Sequence, residues 1–284
     1  MKILVLGVSG MLGNAVFRYF SEHADFNVFG SARSGSVRRA FKPELANKVI
    51  DGVDVDNADS LALLFARVRP DVVINCIGLI KQLSEANDPL LAIPINALLP
   101  HRLARLCDVA GARFVHISTD CVFKGDRGDY LESDSSDAED LYGRSKFLGE
   151  VDYPHAITLR TSIIGHELGS NNGLVGWFLA QKGAVKGFTR AIFSGFPTVE
   201  LAHIIRDVVI PRPELRGLYH VAAAPIAKYE LLKLVATTYK KTIAILPQDT
   251  LVIDRSLNAQ RFNDASGYAP PDWPSLVHKM HNFK

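Results

Sequence analysis

No apolar run in this chain approaches the ~18–20 residues that a membrane-spanning helix needs, so the chain is not expected to be integral to a bilayer. Cysteine is scarce: Cys76, Cys107 and Cys121 are odd in number and widely spaced, which excludes the disulfide framework of a small secreted scaffold. Residues 1–7 (MKILVLG) run straight into a strand-like stretch without an apolar leader and cleavage site. No secretory signal is therefore expected, and the thiols read as reduced ones in a cytoplasmic protein. Neither sign of charge predominates: 32 basic and 30 acidic residues leave a net charge of +2, which gives no nucleic-acid footprint. The nine histidines form no HExxH and no Cys/His pairing at zinc spacing, so no metal site is expected. Internal repeats and low-complexity segments are missing too. What is present is 48% hydrophobic and 22% charged residues over 284, an ordinary globular composition. Such a chain buries a sizeable core unaided, as one large domain or two that share an interface.

Short β-rich runs (residues 2–6, 27–29, 72–76, 113–117 and 156–159) alternate with helical stretches (11–20, 60–68, 100–110 and 141–151). Continuous apolar strands alternating with helices predict an α/β fold, a Rossmann-type doubly wound parallel sheet buried on both faces. Beyond about residue 165 the texture changes. Glycines and loop residues break up 166–197, and Pro211 to Pro213 end a helix-like run that starts near Val199. A helical segment at 229–239, a short strand at 242–246 and a Pro-rich tail follow. This pattern reads as a nucleotide-binding body with a smaller C-terminal α/β lobe laid over it.

Gly7, Gly10 and Gly13 form a GxxGxxG directly after the first strand and at the start of the first helix. In such a turn the first glycine permits the tight bend and the second lets the backbone approach a pyrophosphate. The third lets the helix pack close to the strand. The helix N-terminus then offers N–H donors and partial positive charge to phosphates. The second strand ends in Phe29-Gly30-Ser31-Ala32-Arg33, with no carboxylate to bind a ribose 2′-hydroxyl. An acid there would repel a 2′-phosphate, whereas Arg33 pairs with it, so NADPH is expected over NADH. Arg38 and Arg39 read as a solvated basic loop.

Residues 142–146 are Tyr-Gly-Arg-Ser-Lys, and the i, i+4 spacing puts Tyr142 and Lys146 on one helix face. Ser118, Thr119 and Asp120 lie at a strand end, where ligands sit in open α/β sheets. These groups suit carbonyl reduction. Hydride passes from a nicotinamide to the carbonyl carbon, and the alkoxide takes a proton from Tyr142. A free phenol, with pKa ~10, is poorly matched to that transfer. The Lys146 ammonium and the oxidised nicotinamide ring are expected to lower its pKa. Lys146 would also hold the nicotinamide ribose, and Thr119 would donate to the carbonyl oxygen.

With these motifs the chain resembles the extended short-chain dehydrogenases/reductases, and within them the dTDP-4-dehydrorhamnose reductase family. The resemblance extends through Asp54-Val55, Ile74-Asn75-Cys76, Ile95-Asn96-Ala97, the run from Ser118 to Phe123, and Leu159-Arg160-Thr161-Ser162. It continues in Asn171-Asn172, Gly195-Phe196-Pro197-Thr198, Gly217-Leu218-Tyr219-His220 and Arg255-Ser256-Leu257-Asn258. Position by position it implies Thr119, Tyr142 and Lys146 as the catalytic triad. Gly7, Gly10, Met11, Leu12, Asp54, Val55, Cys76 and Gly78 would line the cofactor beside Gly13 and Arg33, with Asp54 and Val55 at the adenine. Asp120 and Cys121, with Asn171, Asn172, Trp177 and Pro197 of the lobe, would border the sugar. Asn96 would stabilise a helix bend ahead of the site. Residues 1–165 would be the NADP(H)-binding domain, joined by a returning segment at roughly 187–222. Residues 166–186 and 223–284 would form the substrate-binding lobe.

The implied activity is NADPH-dependent reduction of a nucleotide-activated 4-keto-6-deoxyhexose, in synthesis of a surface-polysaccharide precursor. The implied partner is that sugar nucleotide; a homodimer is compatible with the reading. Relatives read Ser-Thr-Asp-Tyr-Val-Phe where this chain has Cys121, and the stretch 75–81 is bulkier and more apolar than theirs. A UDP-linked 2-acetamido-4-keto-6-deoxy sugar is therefore a competing substrate. A 4,6-dehydratase would carry glutamate in place of Cys121. An epimerase-reductase like GDP-fucose synthase places a cysteine where Cys121 stands, but needs a histidine that residues 170–173 do not supply. A non-catalytic NADP-binding subunit, such as the regulatory subunit of methionine adenosyltransferase, needs no intact triad.

Overall fold

The computed structural model describes residues 1–80 and 84–284, which leaves Lys81 of the bulky 75–81 stretch outside the described residues. Seven strands form one parallel sheet: β1 (Lys2–Leu6), β2 (Asn27–Ser31), β3 (Val49–Ile50), β4 (Val72–Asn75), β5 (Arg113–Thr119), β6 (Ala156–Thr161) and β7 (Gly217–His220). Their order is β7-β6-β5-β4-β1-β2-β3, and every neighbouring pair is parallel. The order reverses between β1 and β4, the switch point at which ligands bind in such sheets. Alternate residues serve opposite cores. Ile3 and Val5 of β1 join one cluster, while Leu4 and Leu6 join the other. That two-sided burial is why the strand is apolar throughout.

Helix α1 (Met11–Ser21) buries Leu12, Ala15, Val16, Phe17 and Phe20, a 3.6-residue stripe turned to the sheet. Helix α2 (Ala58–Val68) starts at Asn57, whose side chain accepts the N–H groups of Asp59 and Ser60. Helix α3 (Leu99–Ala110) stops at Gly111, a left-handed position with φ of 67°. It is preceded by a π-helical stretch at Ile93–Leu98 that holds Asn96. Helix α4 (Leu141–Leu148) starts at Asp140, whose carboxylate accepts the Gly143 N–H.

Several element ends depart from the sequence reading: β2, β5 and β6 each run two residues further than expected. The helix expected over 141–151 ends at Leu148, and the Gly149 that follows packs directly on the π-helical stretch. A Cβ at Gly149 would lie 1.9 Å from the Asn96 carbonyl oxygen, and beyond it Glu150 turns away to meet Arg160. The strand expected over 242–246 lies at Ala244–Gln248, where it pairs in parallel with Ala184–Phe188. Other small sheets follow the body: Phe196–Pro197 pairs with Ile163–Ile164, and Ala191–Phe193 pairs with both Ile226–Ala227 and Ile253–Asp254. No helix among the described residues is long and apolar enough to cross a membrane.

Candidate active site

Three connections converge at the C-terminal ends of β1, β4 and β5. After β1, Gly7 adopts a φ of 82°, and the N–H groups of Gly7 and Val8 both reach the Ser31 carbonyl at the end of β2. Gly10 starts α1, and no side chain caps that first turn. A Cβ on Gly10 would meet nothing closer than the Gly7 oxygen at 3.5 Å, whereas one on Gly13 would strike that same oxygen at 2.1 Å. The two glycines thus do different work. Gly13 lets the helix pack on the turn, and Gly10 leaves the approach to the uncapped N–H groups clear. This bare, positively polarised helix end fits the pyrophosphate of a dinucleotide.

Around it the structure places the other residues singled out in the sequence. Arg33 is exposed just beyond β2. Arg38 is not simply solvated: its guanidinium donates to the Val49 carbonyl and the Asp51 carboxylate, both at 2.8 Å, because β3 brings an acid within reach. Arg39 is exposed. Asp54 is exposed and its carboxylate accepts the Asp56 N–H at 3.0 Å, while Val55 packs on the core. Cys76 and Gly78 follow β4. A Cβ on Gly78 would lie 3.8 Å from Lys146 Nζ, so this loop and α4 meet at the ammonium. Met11 reaches across to the lobe, its methyl 2.8 Å from where a Cβ on Gly173 would stand. Leu12 is buried in the core.

At the end of β5, Thr119 is buried and its hydroxyl donates to the Asp120 carboxylate at 3.1 Å while accepting the Cys121 N–H at 3.1 Å. Burial raises the pKa of Asp120, against the pull of Arg255. Tyr142 and Lys146 share the inner face of α4. Lys146 is 5% exposed, and Nζ donates to the Ile117 carbonyl at 2.9 Å. Burial brings its pKa down to about 8, with Glu150 and Cys76 opposing that fall. Burial pushes the Cys76 thiol up to about 12, against the pull of Lys146.

The expected depression of the Tyr142 phenol by Lys146 is not what the protein groups produce. Burial holds the phenol above its usual value, and Cys121, Asp120 and Asp140 push it further up. Hydrogen bonding with Thr119 is the lowering influence. The physical reason lies in Lys146 itself, whose ammonium is desolvated and directed at the Ile117 carbonyl. Tyr142 is accordingly held as a neutral proton donor.

Asn171 and Asn172 are exposed, as is Trp177 on the helix Leu174–Ala180, while Pro197 is buried in its strand pair. Asn96 is buried and accepts the Leu79 N–H at 2.9 Å while its amide donates to Ser145 Oγ at 3.3 Å, tying the loop after β4 to α4. Sequence reasoning missed two neighbours of the triad. Arg255 donates to the Phe123 carbonyl at 2.6 Å and faces Asp120. Glu150 accepts the Ser118 hydroxyl at 2.7 Å. For Glu150 a signal existed, since it continues the i, i+4 series from Tyr142 and Lys146. Arg255 lies in the distant run Arg255-Ser256-Leu257-Asn258 that the family resemblance includes, a signal with no role attached to it. Among the described residues, no group of three or more His, Cys, Asp or Glu side chains is arranged to hold a metal ion.

Comparison with known proteins places this geometry. The family model described as the RmlD substrate binding domain matches residues 1–264. A dTDP-4-dehydrorhamnose reductase of Shigella flexneri is 27% identical over 260 residues, covering 81% of this chain and 85% of that protein. Methionine adenosyltransferase 2 subunit beta of Danio rerio is 26% identical, over 84% of this chain and 74% of that one. Among solved structures, dTDP-4-dehydrorhamnose reductase from Bacillus anthracis, in complex with NADP, superposes with a TM-score of 0.80 at 20% identity, covering 100% of this chain and 98% of that chain. With the parallel sheet, the glycine turn and the Thr-Tyr-Lys arrangement already in view, the chain belongs to the RmlD substrate-binding-domain family, of the extended short-chain dehydrogenase/reductase type.

Proposed function

We propose that this protein reduces the 4-keto group of a nucleotide-activated 4-keto-6-deoxyhexose with NADPH, in the making of a surface-polysaccharide precursor. The observation that carries the reading is the meeting of Thr119, Tyr142 and Lys146 beside a bare helix N-terminus at one sheet switch point. The NADP complex of the Bacillus anthracis reductase, whose fold this chain shares, supports the choice of cofactor. In this reading residues 1–165, with the returning 187–222, hold the dinucleotide. Residues 166–186 and 223–284 hold the sugar nucleotide. The bound dinucleotide supplies the hydride. Thr119 would turn its hydroxyl from Asp120 to the carbonyl oxygen, Tyr142 would pass its phenolic proton to that oxygen, and Lys146 would orient the ribose.

The direct test is NADPH consumption with dTDP-4-dehydrorhamnose, run beside a UDP-linked 2-acetamido-4-keto-6-deoxy sugar. Turnover is expected with the first. Faster turnover of the second would move the substrate to the acetamido class. NADPH binding without turnover of any 4-keto sugar nucleotide would instead favour the reading as a non-catalytic NADP-binding subunit. Arg33→Ala is expected to weaken NADPH binding about tenfold, the equivalent of ~1.4 kcal/mol, and to leave NADH nearly unchanged. Equal loss for both cofactors would remove Arg33 from the 2′-phosphate.

A further inference from the structure

Behind the triad lies a buried polar cluster that the reaction as described does not use. Arg160 of β6 is 2% exposed and grips Glu150 with two bonds of 2.6 Å, from Nε to Oε1 and from Nη2 to Oε2. Ser118 donates to Oε1 as well, at 2.7 Å. On its far side Arg160 donates from Nη1 to His220 Nε2 at 3.2 Å, and His220 donates from Nδ1 to the Tyr130 carbonyl at 2.9 Å. Burial and the adjacent guanidinium hold the pKa of His220 down at about 4, so it is neutral here. The Phe123 ring lies against Arg160 at 5.2 Å.

The cluster adjoins the site through consecutive residues of one strand. Lys146 Nζ is bonded to Ile117, Glu150 to Ser118, and the next residue is Thr119. Lys146 and Glu150 stand four apart on one segment and grasp neighbouring residues of the same strand end. A buried ammonium bonded to a neutral carbonyl needs an opposing charge. The groups that act on Lys146 are Glu150 and the Cys76 thiol, and His116 of β5 lies close enough to feel its charge in turn.

We propose that Glu150 is a positioning residue for this reaction, clamping the end of β5 to α4 and supplying the buried counter-charge that keeps the Lys146 ammonium in place. Arg160 and Ser118 hold the carboxylate in a single orientation, and neutral His220 adds no competing charge. The inference rests on the reading of Lys146 as part of the triad.

The test is an NMR titration of isotope-labelled lysine in the ligand-free protein, with the Lys146 signal assigned by Lys146→Arg. Wild-type Lys146 is expected to titrate near pH 8. In Glu150→Gln the negative charge is gone, the ammonium is disfavoured, and the midpoint falls by about one unit or more. Glu150→Asp, which keeps the charge, stays close to wild type. Because Glu150→Gln leaves Arg160 buried without its partner, the double variant Glu150→Gln/Arg160→Met serves as the well-folded arm and is expected to show a smaller fall in the same direction, since the Arg160 cation leaves with the carboxylate. An unchanged midpoint in either folded variant, or an equal fall in Glu150→Asp, overturns the proposal. The readout needs neither cofactor nor sugar, so it stands apart from any failure of the substrate assignment. If turnover is found, the alkaline limb of kcat/KM for NADPH moves with the NMR midpoint.

Discussion

Tyr142→Phe is expected to lower kcat by about 10²–10⁴-fold, the usual contribution of a positioned general acid, while NADPH still binds. Burial and the surrounding Cys121, Asp120 and Asp140 favour the neutral phenol, so in the ground state it carries the proton that the reaction needs. Removing the oxygen leaves the ring's packing intact and takes away one proton at one atom. The effect therefore belongs in kcat and not in cofactor affinity, which fluorescence of bound NADPH reads separately. A Phe variant with near-wild-type turnover would place the proton donor elsewhere, and Asp120, buried and bonded to Thr119, would be the group to replace next.

The glycine turn makes the second large prediction, and its strength is that two substitutions of the same size should differ in kind. At Gly13 a new Cβ would lie 2.1 Å from the Gly7 oxygen and 2.7 Å from the Gly7 carbon, both backbone atoms that no side-chain rotation can move aside. Gly13→Ala must push α1 off the turn. Overpacking of this sort costs about 1–3 kcal/mol. For a chain of this size each kcal/mol lowers Tm by ~2–4 °C. Moving the helix end away from the phosphates should also cost NADPH affinity on the order of tenfold or more. At Gly10 the new Cβ meets nothing inside ordinary van der Waals distance, its nearest neighbour lying at 3.5 Å. Gly10→Ala is thus expected to leave Tm where it is and weaken NADPH alone, because the methyl stands where the pyrophosphate approaches. Melting curves with and without NADPH read both effects. If Gly10→Ala bound the dinucleotide at full strength, the helix N-terminus would not be the phosphate site.

The contrast between these two glycines also marks the boundary of what could be read from the chain alone. The spacing Gly7-Gly10-Gly13 was legible, as were β1 and the start of α1 to the residue, since turn chemistry and apolar periodicity act over a few residues. The different tasks of Gly10 and Gly13 were legible too, from the motif itself; the distances that leave Gly13 no room for a Cβ came only with the fold. Similarly, Tyr142 and Lys146 could be placed on one helix face, but the end of that helix was misjudged by three residues. Just past its end, Gly149 packs against the Asn96 carbonyl of a π-helical stretch far upstream, a contact only folding creates.

Sequence by itself determined the parallel α/β architecture and the glycine turn, and it nominated Thr119, Tyr142 and Lys146, because each is written in local spacing. Tertiary structure alone decided the electrical state of those side chains. Glu150 meets Ser118 from 32 positions away, and Arg160 meets His220 from 60. Charge and hydrogen-bond partners at such separations are brought together only by folding, and desolvation, which raises the Tyr142 phenol and lowers Lys146, exists only once the site is enclosed.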